Sequence, residues 1–317
     1  MSAPRLAARL RAPLAAACAT ALAAAALAGC GVGAGEKSGD ARIVVTRDFG
    51  SRQLGARIQQ DIPESETVMR LTERSFRVDT SYGGRFVQSL DGIVGGGSGG
   101  KGDWFYWVNG IVGDESAADV ELHGGDRVWW DYRDWSGAQN VNAVVGQFPE
   151  PFTHGAEGKR YPVVIQCAKD SEASCRTVSE QLSAIGAHAS RQTLGTNVET
   201  EVLRVLVGRW QDVRRDQALR LIDRGPATSG VFARFDDDGG RLELLDAHGG
   251  VARTLGAGAG LVAAVKLGDQ VPTWTVTGTD ERGVAAAAGA LDAQRLRERF
   301  ALAIDPAGGD VGLPLLR

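Results

Sequence analysis

The chain has 317 residues, 43% of them hydrophobic and 23% charged, with 35 Lys and Arg against 39 Asp and Glu. A formal charge of −4 is the wrong sign for nucleic-acid binding, which rewards clustered cations. The length suits two domains, and the apolar content is ordinary for chains with a sizeable core.

Arg5, Arg9 and Arg11 precede an uncharged stretch rich in Ala and Leu, residues 13–27, which ends in Leu27-Ala28-Gly29-Cys30. A basic start, an apolar middle and a small-residue end make a three-part export signal. It resembles the signal of bacterial lipoproteins. That resemblance implies removal of residues 1–29, acylation of Cys30, palmitate included, and a lipid anchor on the extracytoplasmic face of the cell membrane. The apolar run falls short of the ~20 residues that a spanning helix needs, and no other stretch is long and apolar enough to cross. Loss of three Arg with the leader leaves 32 basic residues (35 less 3) against 39 acidic ones, a charge of −7. Residues 30–40 are small and polar and form a flexible tether, with an r.m.s. reach of roughly 17 Å.

Residues 42–46 and 54–62 read as strands, joined through Asp48-Phe49-Gly50-Ser51. Pro63 and Ser65 open a short helix that runs to Phe76, with Val68, Met69, Thr72 and Phe76 at helical spacing. Residues 85–90 are extended and end at an Asp91-Gly92 turn. A Gly-rich loop, residues 95–100, leads to the strand 103–108 and an Asn109-Gly110 turn, and Gly124-Gly125-Asp126 introduces a strand over 127–134. Two strands, a helix and more strands, over residues 41–143, predict a β-grasp domain.

Residues 144–159 carry Pro149, Pro151, Gly155 and Gly158 and read as a linker. From 160 to 317 strands at 162–166, 202–207, 230–235, 241–245, 260–265 and 273–277 alternate with helices. One helix carries Val178, Leu182 and Ile185, one runs from Gln211 to Gly225, and one carries Val284, Ala288 and Leu291. The whole is therefore predicted as α+β: an N-terminal β-grasp-like domain followed by an α/β domain with a mixed, partly parallel sheet. Cys167 and Cys175 are spaced to close a disulfide outside the cytoplasm. Zinc is the other reading, short of ligands because no His stands beside them.

Five of the seven tryptophans lie between Trp104 and Trp135. Strand alternation puts Trp104, Tyr106 and Val108 on one face and Phe105, Trp107 and Asn109 on the other. One helix covers one face, so part of this aromatic surface is expected to meet a partner; the competing reading is that most of the rings are core. The segments 86–92, 103–110 and 125–132 resemble the bacterial family of uncharacterised domains related to the C-terminal domain of transcobalamin and intrinsic factor. The resemblance covers residues 42–135 and implies a soluble-ligand-binding β-grasp fold. In the animal proteins this domain is half of a cobalamin clamp whose other half is a helical barrel.

Large rigid rings suit a flat apolar ligand, a sugar or a peptide edge. Trp104, Tyr106, Trp107, Asn109, Trp130 and Tyr132 are the expected contact residues, with Asp131 and Arg133 to fix orientation. His123, His154, His188 and His248 have no ligand-like spacing. Asp236-Asp237-Asp238 lacks the alternation of a calcium loop, and Gly256-Ala257-Gly258-Ala259-Gly260 lacks the Lys of a phosphate loop. The turns at 207–210 and 277–280 mark one sheet edge as a place for a second site. The expectation is a lipid-anchored binding protein, without catalysis or cofactor, that presents its aromatic face to a small ligand, cobalamin-like among the candidates, or to a membrane transporter. The alternative is an envelope assembly protein that docks another protein through that face.

Overall fold

The computed structural model describes residues 39–96 and 100–316. The expected leader, Cys30 and most of the tether lie outside the described residues, as do Gly97, Ser98 and Gly99 of the Gly-rich loop.

The first half runs β1 (Ala41–Arg47), β2 (Arg52–Gln59), α1 (Val68–Ser75), β3 (Val78–Ser81), β4 (Phe86–Leu90), β5 (Ile93–Val94), β6 (Gly102–Val108), β7 (Ile111–Val112) and β8 (Arg127–Asp134). One sheet has the order β2-β1-β8-β6-β7, while β3, β4 and β5 make a small antiparallel sheet of their own. β1 can lie in the sheet interior because it is apolar on both sides: Ile43 and Val45 pack with α1, and Val44 faces the second half. It runs antiparallel to β2 and parallel to β8. A parallel partner requires a long crossover, supplied here by everything from β2 to β7.

α1 begins later than its sequence pattern predicts. Thr67 is the N-cap, extended, with its side chain accepting from the Arg70 amide at 3.2 Å, so the segment from Pro63 stays outside the helix. Val68, Met69, Leu71 and Thr72 form its buried stripe.

The second half runs β9 (Val163–Cys167), α2 (Glu172–Ala184), β10 (Ala189–Thr193), β11 (Leu203–Arg209), α3 (Trp210–Val213), α4 (Arg220–Asp223), α5 (Pro226–Ser229), β12 (Ala233–Phe235), β13 (Leu242–Leu245), β14 (Val251–Leu255), β15 (Gly260–Val265), β16 (Thr273–Gly278), α6 (Glu281–Ala288), α7 (Ala293–Leu296), β17 (Ala301–Asp305) and β18 (Gly309–Leu313). Seven strands form one sheet in the order β10-β9-β11-β16-β15-β17-β18. The first four are mutually parallel, and the remaining neighbours are antiparallel. The architecture is thus α+β with mixed, partly parallel sheets. Every residue of β9, β15 and β16 is buried, as expected of strands covered on both faces. α2 and α6 cover one face, and α3, α4 and the β12-β13-β14 sheet cover the other.

The helix expected from Gln211 to Gly225 is instead two short ones. Asp216 interrupts it, since its carboxylate takes the Ala218 amide at 2.9 Å and the Arg204 guanidinium. Residues 144–159, expected as a linker, are packed: Phe148 and Phe152 are buried, with ring centroids 6.1 and 5.0 Å from Trp274.

One apolar cluster joins the halves. Val44, Phe49, Trp107 and Trp129 from the first sheet share it with Phe232, Leu244, Leu261 and Phe300. Phe300 sits edge-on to Phe49, Trp107 and Trp129 at centroid distances of 5.2, 5.2 and 5.3 Å.

Candidate binding cleft

β6 and β8 bring the aromatic block together, pairing Trp104 with Tyr132, Tyr106 with Trp130 and Trp107 with Trp129. The alternation read from the sequence holds: Trp104, Tyr106, Trp130 and Tyr132 face α1, while Trp107 and Trp129 face the second half. What differs is the covering of the second face. Trp107 and Asn109 are fully buried, because the second half closes over the side expected to be free.

The polar tips of the rings are consumed internally. Trp107 Nε1 donates to Val141 O at 2.8 Å, Trp129 Nε1 to Thr46 Oγ1 at 2.8 Å, and Trp130 Nε1 to Thr72 Oγ1 at 3.0 Å. Trp104 Nε1 donates to Ile93 O at 2.9 Å and the Tyr106 hydroxyl to Glu115 O at 2.9 Å. Burial first, and then the nearby carboxylates of Asp114, Glu115 and Asp119, push the Tyr106 phenol above its ordinary range.

Asn109, Asp131 and Arg133 are corrected from ligand-orienting to structural roles. Asn109 adopts a left-handed backbone (φ 53°) and locks the turn after β6, its side chain donating to Asp126 at 2.7 Å and Gly155 O at 2.9 Å and accepting from the Arg127 amide at 2.9 Å. Asp131 accepts from Thr46 Oγ1 at 2.5 Å and from the Phe49 and Gly50 amides at 2.9 Å each. It thereby fixes the left-handed turn between β1 and β2. Burial pushes its carboxyl up to about 6, against the pull of those donors and of Arg133. Arg133 donates to Ala138 O and Gln139 O at 2.6 and 2.8 Å and lies 3.9 Å above the Phe105 ring. Burial brings its guanidinium down to about 10, opposed by Asp131 and Asp134.

An open side remains on the α1 face. Phe86, Trp104, Tyr106, Trp130, Arg85 and Ser116 line a cleft of about 330 Å³. Trp104, Tyr106 and Trp130 form its floor from within the core, with only their edges reaching it. Phe86 is 42% exposed, and Tyr82, whose ring lies 6.3 Å from it at the turn between β3 and β4, is 85% exposed. Arg85, paired with Asp119, closes one end. Tyr82 and Phe86 escaped the sequence reading because they stand outside the tryptophan block; the only signal was an aromatic pair flanking a Gly-Gly turn. Tyr132 is half-buried and packs edge-on to Trp104 at 5.4 Å.

Residues 65–134 match the domain of unknown function DUF4430. The DUF4430 segment thus contains α1, the β3-β4-β5 sheet, β6, β7 and β8, and with them every residue of the cleft. β1, the interior strand that pairs in parallel with β8, is supplied from outside it. A solved structure from Ruminococcus gnavus, described as "a putative metal binding protein", is similar at 12% identity and a TM-score of 0.24, covering 30% of this chain and 97% of that one. No curated protein matches the chain.

Outside DUF4430, Cys167 at the end of β9 and Cys175 in α2 form a disulfide with a Cα separation of 6.0 Å. Among the described residues no group of three or more His, Cys, Asp or Glu is placed to hold a metal ion. Asp236 takes the Arg241 amide and guanidinium at 3.0 Å each, which makes the acidic run a hairpin turn. The Gly256–Gly260 stretch is a turn leading into β15 and is closed by the Thr279 hydroxyl at 3.2 Å from Gly256 O. The edge marked by the turns at 207–210 and 277–280 opens beside a cleft of about 550 Å³, lined in part by Cys167, Lys169, Asp212 and Arg215. Its carboxylates are engaged by arginines beside it: Arg209 pairs with Asp212 and Asp170, and Arg204 with Asp216.

Proposed function

We propose that this chain is a non-catalytic binding protein, anchored through lipid on Cys30 to the extracytoplasmic face of a membrane, and that the cleft beside β4 is where it grips a ligand. The observation that carries this reading is the cleft itself: a concave, aromatic-floored space inside the DUF4430 match, flanked by two exposed rings. At about 330 Å³ it stands at the small end of ligand pockets, roughly 300–1,000 Å³. It therefore takes one ring or one edge of a larger flat molecule. A corrinoid held by its edge fits the transcobalamin-like reading of the sequence, in which this domain is half of a clamp. The contact set moves accordingly, from Trp107 and Asn109 to Phe86 and Tyr82, with Trp104, Tyr106 and Trp130 as the floor.

The test is a fluorescence titration of the full mature chain with cobalamin, haem, oligosaccharide and aromatic peptide. Because Trp104 and Trp130 form the floor, a bound ring changes their emission. Phe86→Ala weakens binding about tenfold or more, the loss of one well-packed aromatic contact of 1–3 kcal/mol. A flat titration with every probe removes the small-ligand reading. A protein partner crosslinked through Tyr82 in intact cells would put the docking role in its place.

A further inference from the structure

A second cleft lies on the opposite face of the first sheet, where the halves meet. Arg42 and Arg127 are register partners at the starts of the parallel strands β1 and β8, so their side chains leave the same face. This is the face that carries Val44 and Trp129. Arg297, between α7 and β17, reaches the same place. Together with Trp129, Gln147 and Glu298 these three arginines line a cleft of about 160 Å³.

The cations are poorly compensated. Arg127 donates to Phe148 O at 3.2 Å, and its Nε lies 4.0 Å from Glu150. The side chains of Arg42 and Arg297 make no hydrogen bond or ion pair to any described residue. Burial lowers the Arg127 guanidinium below its ordinary range; Glu150 opposes this, and repulsion from Arg42 and Arg297 adds to it. Glu298 has a left-handed backbone (φ 55°), its N–H donates to Gly146 O at 3.1 Å, and its Oε1 is buried without a hydrogen-bond partner. Glu298 and Glu150 offset two of the three charges, which leaves one positive charge in excess.

We propose that this cleft binds a small oxyanion group, phosphate or carboxylate, held by Arg42, Arg127 and Arg297. Planar guanidinium forks match both groups in paired hydrogen bonds. The cleft has about the volume of five water molecules at roughly 30 Å³ each. It therefore admits a single anionic group and excludes a nucleotide or a corrinoid body. The site is independent of the aromatic cleft, because it opens on the other face of the sheet.

The experiment is a thermal-shift and calorimetric titration of the full mature chain with inorganic phosphate and with acetate, against chloride at equal ionic strength. A saturable rise in melting temperature with phosphate alone assigns the phosphate class, and a rise with acetate alone assigns the carboxylate class. Arg297→Ala, at an exposed position whose side chain makes no hydrogen bond or close ion pair and which both attracts Glu298 and repels Arg127, weakens that anion at least tenfold while its anion-free melting curve is little changed; Arg297→Lys recovers only part of the loss. A response no greater than that to chloride overturns the proposal, as does undiminished affinity in Arg297→Ala.

Discussion

Phe300→Ala probes whether the two sheets stand or fall together. Phe300 is 2% exposed and touches three rings of the first sheet, Phe49, Trp107 and Trp129, while belonging to the second half. Truncation removes a buried aromatic and leaves a void that the surrounding rings only partly fill, a cost of about 3–5 kcal/mol. That is a large part of the roughly 5–15 kcal/mol that holds a typical folded protein. At about 2–4 °C per kcal/mol the melting temperature falls by roughly 6–20 °C. Equilibrium urea unfolding, followed by tryptophan emission, to which five of the seven indoles contribute from the first half, and by far-ultraviolet circular dichroism for the whole, measures the loss. Both signals should move together to a lower midpoint and remain one transition. A loss below about 1 kcal/mol, or two separated transitions with only one displaced, refutes the reading of Phe300 as a shared keystone.

Asp131 gives a pH-dependent counterpart. Its folded carboxyl, at about 6, lies above the ordinary aspartate value, so its protonated form stabilises the fold fully below about pH 4, and that contribution is lost as pH rises through 6. Relative to Asp131→Asn, the unaltered chain should lose up to about 3 kcal/mol between pH 4 and pH 7; parallel stability profiles for the two proteins would contradict this. Reduction of the Cys167–Cys175 disulfide, whose partners are 8 residues apart, should cost about 2–3 kcal/mol, seen as a lower melting temperature with a thiol reductant and no such change in Cys175→Ala. Identical melting with and without reductant would show that the bond contributes nothing.

What the sequence made legible is the alternation. The period of two assigned Trp104 and Tyr106 to one face and Trp107 to the other correctly, because strand geometry is local. It did not reveal what covers each face. That depends on Phe300 and Phe232, far along the chain, and no periodicity within β6 carries that information. β9, β11 and β15 were readable as largely apolar runs because their middles are buried on both faces, and β16 from its alternating Thr with Trp and Val, residue types that favour strands. β10 was not: as an edge strand its residues, Ala-Ser-Arg-Gln-Thr, are polar and nearly all solvent-facing. The short strands β3 and β5, which flank β4 beside the aromatic cleft, have too few residues to show a period at all. Asn109, Asp131 and Arg133 were drawn to the ligand by their position among rings. Their buried hydrogen bonds to the chain itself show that polar residues in an aromatic block also serve to hold turns and loops in register.

The arrangement around Phe300 also sets an order on biosynthesis. β1 is made early, yet it waits for β8 before its parallel neighbour exists, and the indoles of Trp107 and Trp129 wait longer still for the segment before β17. Until then a growing chain carries a bare patch of indole rings, and closing loops of that length is slow. On the proposed export reading, a chain of this design gains from staying unfolded until translocation is nearly finished, and a fragment cut short before Phe300 would expose those rings and be prone to aggregate.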